Sequence, residues 1–112
     1  MSQITQKSVS KEERLKELIT RSLKSEAKYL NGKKIIFCKE KSELHKYDDV
    51  AIKILKIDEK TFEIYFLNLS LSEYQALETI TNEICSEMKV KNIEFYGSSF
   101  SKKGYATMKI TF

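Results

Sequence analysis

The side chains able to do acid–base or nucleophilic chemistry near neutral pH are few. The single histidine, His45, has Cys38 seven residues before it and Asp48 and Asp49 shortly after it. A nucleophile, a base and an orienting carboxylate would form a working set if they converged. Cys38 lies in an apolar stretch suited to a strand, however, and His45 in a charged connection, so the spacing favours a surface histidine. One imidazole and two adjacent carboxylates also fall short of a metal centre, since no third strong ligand stands at a suitable spacing. The residues therefore lead to an expectation of no catalytic group, no metal and no cofactor.

A second group of residues points to phosphate. The segment 97–104, Gly-Ser-Ser-Phe-Ser-Lys-Lys-Gly, has glycines at both ends. It lacks the Gly-Lys-Ser/Thr ending and the following helix of a mononucleotide loop. As the wing of a polynucleotide binder it reads better. Ser98 and Ser99 can donate to phosphate oxygens, Lys102 and Lys103 can displace counterions, and Phe100 can stack on a base. The plain alternative is a soluble hairpin tip. Upstream, Glu17, Arg21, Lys24 and Lys28 fall on one helical stripe, and Lys33 and Lys34 follow at once. The candidate nucleic-acid-binding set is thus Arg21, Lys24, Lys28, Lys33, Lys34, Ser98, Ser99, Phe100, Lys102 and Lys103. A charge stripe is more often just a solvated face, here with Glu17 and Arg21 paired four residues apart. The binding reading gains only if helix stripe and loop share one side of the fold.

The elements that must position these groups follow from periodicity. Ser10-Lys-Glu-Glu13 is a capping box, and Leu15, Leu18, Ile19, Leu23, Tyr29 and Leu30 recur at helical spacing up to Asn31-Gly32. Ser22 and Glu26 interrupt that stripe. Residues 33–39 read as a strand apolar on both faces, and hence as an interior one. Residues 50–57 and 61–69 read as a hairpin about Asp58-Glu59-Lys60, with Phe62, Ile64 and Phe66 on one face and Tyr65, Leu67 and Leu69 on the other. A second helix starts at Ser72, burying Leu77, Ile80, Ile84 and Met88 and turning Gln75, Thr79, Asn82 and Ser86 outward. Residues 90–96 and 105–112 form a second hairpin, in which Ala106, Met108, Ile110 and Phe112 alternate with Tyr105, Thr107, Lys109 and Thr111.

The expected fold is α+β, a single domain in the order α-β-β-β-α-β-β, with a mostly antiparallel five-stranded sheet and two helices. Residues 1–9 read as a flexible tail and 10–112 as the domain. The element order is similar to that of small bacterial secretion chaperones, which are usually acidic. A double-stranded-RNA-binding domain shares the first five elements, but its glycine- and lysine-rich helix start is replaced here by Asn68-Leu69-Ser70-Leu71. No residue role is carried over from either.

Composition bounds the rest. The 112 residues suit one core, and 41% hydrophobic with 32% charged residues is a soluble globular balance. No apolar run approaches the ~20 residues of a membrane span. The polar N-terminus resembles no secretory signal, so a cytoplasmic protein without membrane contact is expected, with Cys38 and Cys85 as reduced core residues. Lysine far outnumbers arginine and proline is absent, a bias that suits an AT-rich source such as a phage, plasmid or other mobile element. Residues 1–46 carry twelve basic and six acidic groups, residues 47–101 five and ten, and residues 102–112 three and none. Basic ends and an acidic middle favour a small non-enzymatic nucleic-acid-binding protein making phosphate contacts, whether to DNA or RNA. The alternative is a protein-binding adaptor, chaperone or inhibitor. On the second sheet face, Tyr65, Tyr96 and Tyr105 are expected beside Lys109, Glu63 and Glu94, covered by the first helix or by a second copy. A homodimer is expected from that apolar surface.

Overall fold

The computed structural model describes residues 10–26, 35–45, 52–69, 71–99 and 104–112. Helix α1, Lys11–Glu26, begins at the anticipated cap, where Ser10 Oγ accepts from the Glu13 amide at 3.1 Å. Glu12 and Glu13 in its first turn complement the positive end of the helix dipole. Helix α2, Leu71–Glu87, starts one residue before the position the capping pattern marks. Five strands, β1 (Ile35–Cys38), β2 (Ile52–Asp58), β3 (Thr61–Leu69), β4 (Asn92–Ser99) and β5 (Gly104–Thr111), form one sheet in the order β1-β2-β3-β5-β4. The β1–β2 pair is parallel and the other pairings are antiparallel. This is the expected α+β class and element order.

Both helices lie on one face of the sheet. Leu15, Leu18 and Ile19 of α1 and Ala76, Leu77, Ile80 and Ile84 of α2 share a single core with Ile52, Ile54, Phe62, Ile64, Phe66, Ala106, Met108 and Ile110. The sheet residues are those that alternation assigns to one side, because successive side chains of a strand point to opposite faces. Phe112 closes the core edge-on against Phe62, with ring centroids 5.7 Å apart. Helix α1 therefore does not cover the second face, as one of the two anticipated arrangements required.

Four further expectations are corrected. The first strand is not interior: among the described residues β1 is an edge, joined to β2 alone, and Phe37 is 41% exposed. Its second apolar face is explained by cover from outside the sheet, where a short 3₁₀ helix, Lys41–His45, brings Leu44 to Lys53 and Glu43 near Cys38. Leu69 belongs to the core face, because an irregularity between Phe66 and Leu69 shifts its alternation. Strand β4 continues through Gly97, Ser98 and Ser99, which pair with Thr107, Ala106 and Tyr105, so the connection shrinks to residues 100–103. Both cysteines are free, but only Cys38 is buried; Cys85 is exposed, one position past the inward Ile84 on α2. The end of the first helical stripe, from Ala27 to Gly32, lies outside the described residues. No helix among the described residues is long and apolar enough to cross a membrane.

Candidate nucleic-acid interface

Chain direction decides which segments meet. The Lys11 ammonium donates to the Glu59 carbonyl at 3.2 Å and lies 5.0 Å from the Phe112 ring centroid, so α1 starts at the β2–β3 turn end of the sheet. Arg14 pairs with Glu87 at 2.5 Å and Arg21 with Glu83 at 2.7 Å. Advancing along α1 thus means retreating along α2, and the helices are antiparallel. Since α2 leaves the end of β3 and returns toward β4, α1 runs to the opposite end of the sheet. One row of paired residues there reads Ile35, Ile52, Phe66, Ala106 and Ser98 across all five strands.

That end collects the flanks of every cationic segment in the candidate set. Arg21 and Lys24 lie on the last turns of α1, and Ile35, which follows Lys33 and Lys34 in the chain, opens β1. Ser98 and Ser99 close β4, and Gly104 opens β5 after Lys102 and Lys103. Lys28, Lys33, Lys34, Phe100, Lys102 and Lys103 themselves lie outside the described residues. Of the ten, Arg21 is the one whose side chain is described. It is not solvated alone: besides Glu83 it approaches Glu87 at 3.8 Å, and the Glu83 hydrogen bond holds the guanidinium above its ordinary value. The expected pairing of Glu17 with Arg21 gives way to one of Glu17 with Arg14, at 3.2 Å. Arg21 is drawn to the other helix, a contact 62 residues away that periodicity does not reveal.

The second face changes character across the sheet. Near β1 it is sealed: the Lys53 ammonium donates to the Leu44 carbonyl at 2.5 Å, and Cys38 and Leu55 are buried. Burial pushes the Cys38 thiol up, Glu43 adds to that and Lys53 opposes it. A raised thiol is the opposite of an activated nucleophile. Toward β4 the face opens. One row reads Cys38, Leu55, Glu63, Lys109 and Glu94, and the next reads Ile36, Lys53, Tyr65, Thr107 and Gly97. The carboxylate–ammonium–carboxylate order over β3, β5 and β4 is a favourable cross-strand pattern. The Tyr65 hydroxyl donates to Glu63 at 2.5 Å, and burial with this bond pushes the phenol well above its usual range.

Tyr96 sits in the irregularity of β4 between Phe95 and Gly97, and its ring lies 5.6 Å from the Lys109 ammonium. Contact with Tyr96, then Glu94 and Glu63, holds that ammonium above its ordinary value. Tyr105 opens onto the same face by the alternation of β5, in which Ala106, Met108 and Ile110 are buried on the other side. Tyr96 is 56% and Tyr105 46% exposed. The three tyrosines thus share one face, as the sequence pattern places them, with Lys109, Glu63 and Glu94. On the helix side, Tyr74, Leu77 and Thr81 of α2 and Phe95 of β4 line a shallow groove. Among the described residues, no three His, Cys, Asp or Glu side chains gather as metal ligands. Comparison with protein-family models, curated proteins and solved structures gives no match for this chain.

Proposed function

We propose that the protein is a small non-enzymatic nucleic-acid-binding protein whose basic end engages phosphates. What supports this is the convergence just described: the last turns of α1, the start of β1, the end of β4 and the start of β5 all belong to one end of the sheet. The described residues that flank these lysines in the chain thereby share one region, and a local concentration of cations is what counterion release requires. Arg21 contributes least, because its charge is already shared with Glu83 and Glu87.

Binding of mixed-sequence DNA and RNA probes, followed by fluorescence anisotropy over a salt series, tests the reading. Affinity should fall steeply with salt. Replacing Lys102 and Lys103 with alanine should weaken all sequences alike and reduce the slope by about two contacts, each worth ~0.9 on duplex and ~0.7 on single strands. Absence of binding at low salt rejects the proposal. The second reading, a protein-binding adaptor, chaperone or inhibitor, is favoured by the exposed uncharged Gln75 and Asn82 of α2, which line the groove at Phe95. That surface is where a partner would be sought if nucleic acid does not bind.

A further inference from the structure

We infer that the outer edge of β4, with the groove beside it, takes up an extended segment of a partner protein as an added strand whose side chains alternate between apolar and basic. The inference rests on the second reading, protein binding at the α2 groove, and gives that groove its occupant. Among the described residues β4 is joined to β5 alone, so its outer row of amides and carbonyls has no strand beside it. Such a row is a template for pairing. The other edge is guarded: β1 is four residues long, and the Lys16 ammonium lies 5.7 Å from the Phe37 ring centroid. Strand β4 has eight residues, and its regular stretch Asn92-Ile93-Glu94-Phe95 holds no lysine or proline to turn a newcomer away.

The surfaces on either side of this edge dictate the newcomer's side chains. On the helix side Ile93 packs against the core, but Phe95, two residues on, is 43% exposed. With Tyr74 and Leu77 of α2 it walls a groove of about 490 Å³, room enough for a large side chain. A strand laid against β4 turns every second side chain toward that groove. An apolar residue there takes Phe95 out of water, which is the gain that backbone pairing alone does not supply.

Charge names the remaining side chains. Glu94 is exposed on the opposite face, and Lys109 meets it from the β5 side, so a cation on an added strand would complete the row from the other side. Glu78, exposed on α2, adds a second carboxylate at the rim of the groove. Lysine or arginine at alternate positions suits both, and the same carboxylates repel a polynucleotide. A second copy of this chain is a poorer occupant. Two β4 strands joined antiparallel about a two-fold through the middle of this stretch would set Glu94 directly opposite its own image, where like charges are costly.

The test follows the anisotropy of a fluorescein-labelled peptide of about seven residues, close to a common strand length, in which lysine alternates with valine. The parent protein should bind it. The same peptide with every backbone amide N-methylated keeps its side chains but loses its donors, and should bind at least about tenfold more weakly. Glutamate in place of lysine should weaken binding, and Glu94→Lys should narrow or reverse that preference. Phe95→Ala, checked by thermal melting to be folded, should weaken the lysine–valine peptide about 5- to 30-fold. If the N-methylated peptide binds as tightly as the unmodified one, strand addition is wrong while protein binding at the groove stands. Equal affinity for the lysine and glutamate peptides overturns the basic partner. If no peptide binds, the inference and the groove reading both fail. A dimer in sedimentation that Phe95→Ala dissociates, or nucleic-acid binding that this variant weakens, gives the edge to another occupant and overturns the inference.

Discussion

The two faces of the sheet are written by the same strands and serve opposite ends. On the helix side, Phe62, Ile64, Phe66, Ala106, Met108 and Ile110 are buried together with seven residues of the two helices. On the other side, the same strands carry Glu63, Tyr65, Thr107 and Lys109, with Glu94 and Tyr96 on β4. Burial on the first face is uniform. On the second it is graded, from the sealed Cys38, Lys53 and Leu55 to the exposed Tyr96 and Tyr105. The contrast teaches that the fold needs only one of the two alternating sets, which leaves the other set free to vary in chemistry from strand to strand.

Substitutions can break that contrast in graded steps. Phe66→Ala should cost the most, about 3–5 kcal/mol, because it opens a cavity where the β2–β3 pair meets the helix layer. Urea unfolding with an unchanged slope would record it as a fall in midpoint. Lys53→Ala should cost about 1–2 kcal/mol, through the lost bond to the Leu44 carbonyl and the lost packing of the lysine stem. Hydrogen exchange should show that loss concentrated in residues 41–45. Tyr96→Ala and Tyr105→Ala should each change stability by no more than about 0.5 kcal/mol in thermal melts, as befits exposed side chains. A cost near that of Phe66→Ala at either tyrosine would mean that the second face is structural after all.

The sequence made one part of this architecture legible and hid another. Alternation of Ala106, Met108, Ile110 and Phe112 with Tyr105, Thr107, Lys109 and Thr111 shows which residues of β5 are buried, and the cap at Ser10 shows where α1 begins. The composition of the second face was readable for the same reason, since Tyr65, Tyr96, Lys109, Glu63 and Glu94 follow from parity alone. Parity fails where the backbone gains a residue. Leu69 changed sides that way, and Gly97-Ser98-Ser99, polar enough to read as loop, is held in the ladder by its neighbour β5. Lateral order is not written in local pattern either. The doubly apolar β1 resembles a central strand because the 3₁₀ helix, rather than another strand, seals its second face. The bonds of Arg14 and Arg21 to Glu87 and Glu83 span most of the chain, and no spacing rule reaches that far.

The place of β5 has a consequence for how the molecule is made. It comes last among the described elements, yet it stands between β3 and β4 and is the one described strand to which β4 is joined. A ribosome adding about 5–20 residues per second delivers β4 before β5, the strand it pairs with. Ile93 and Phe95 must therefore wait in the open until Gly104–Thr111 has emerged and slotted between the two older strands. The sheet closes from its middle, and a chain stopped before Gly104 would lack its keystone rather than its rim.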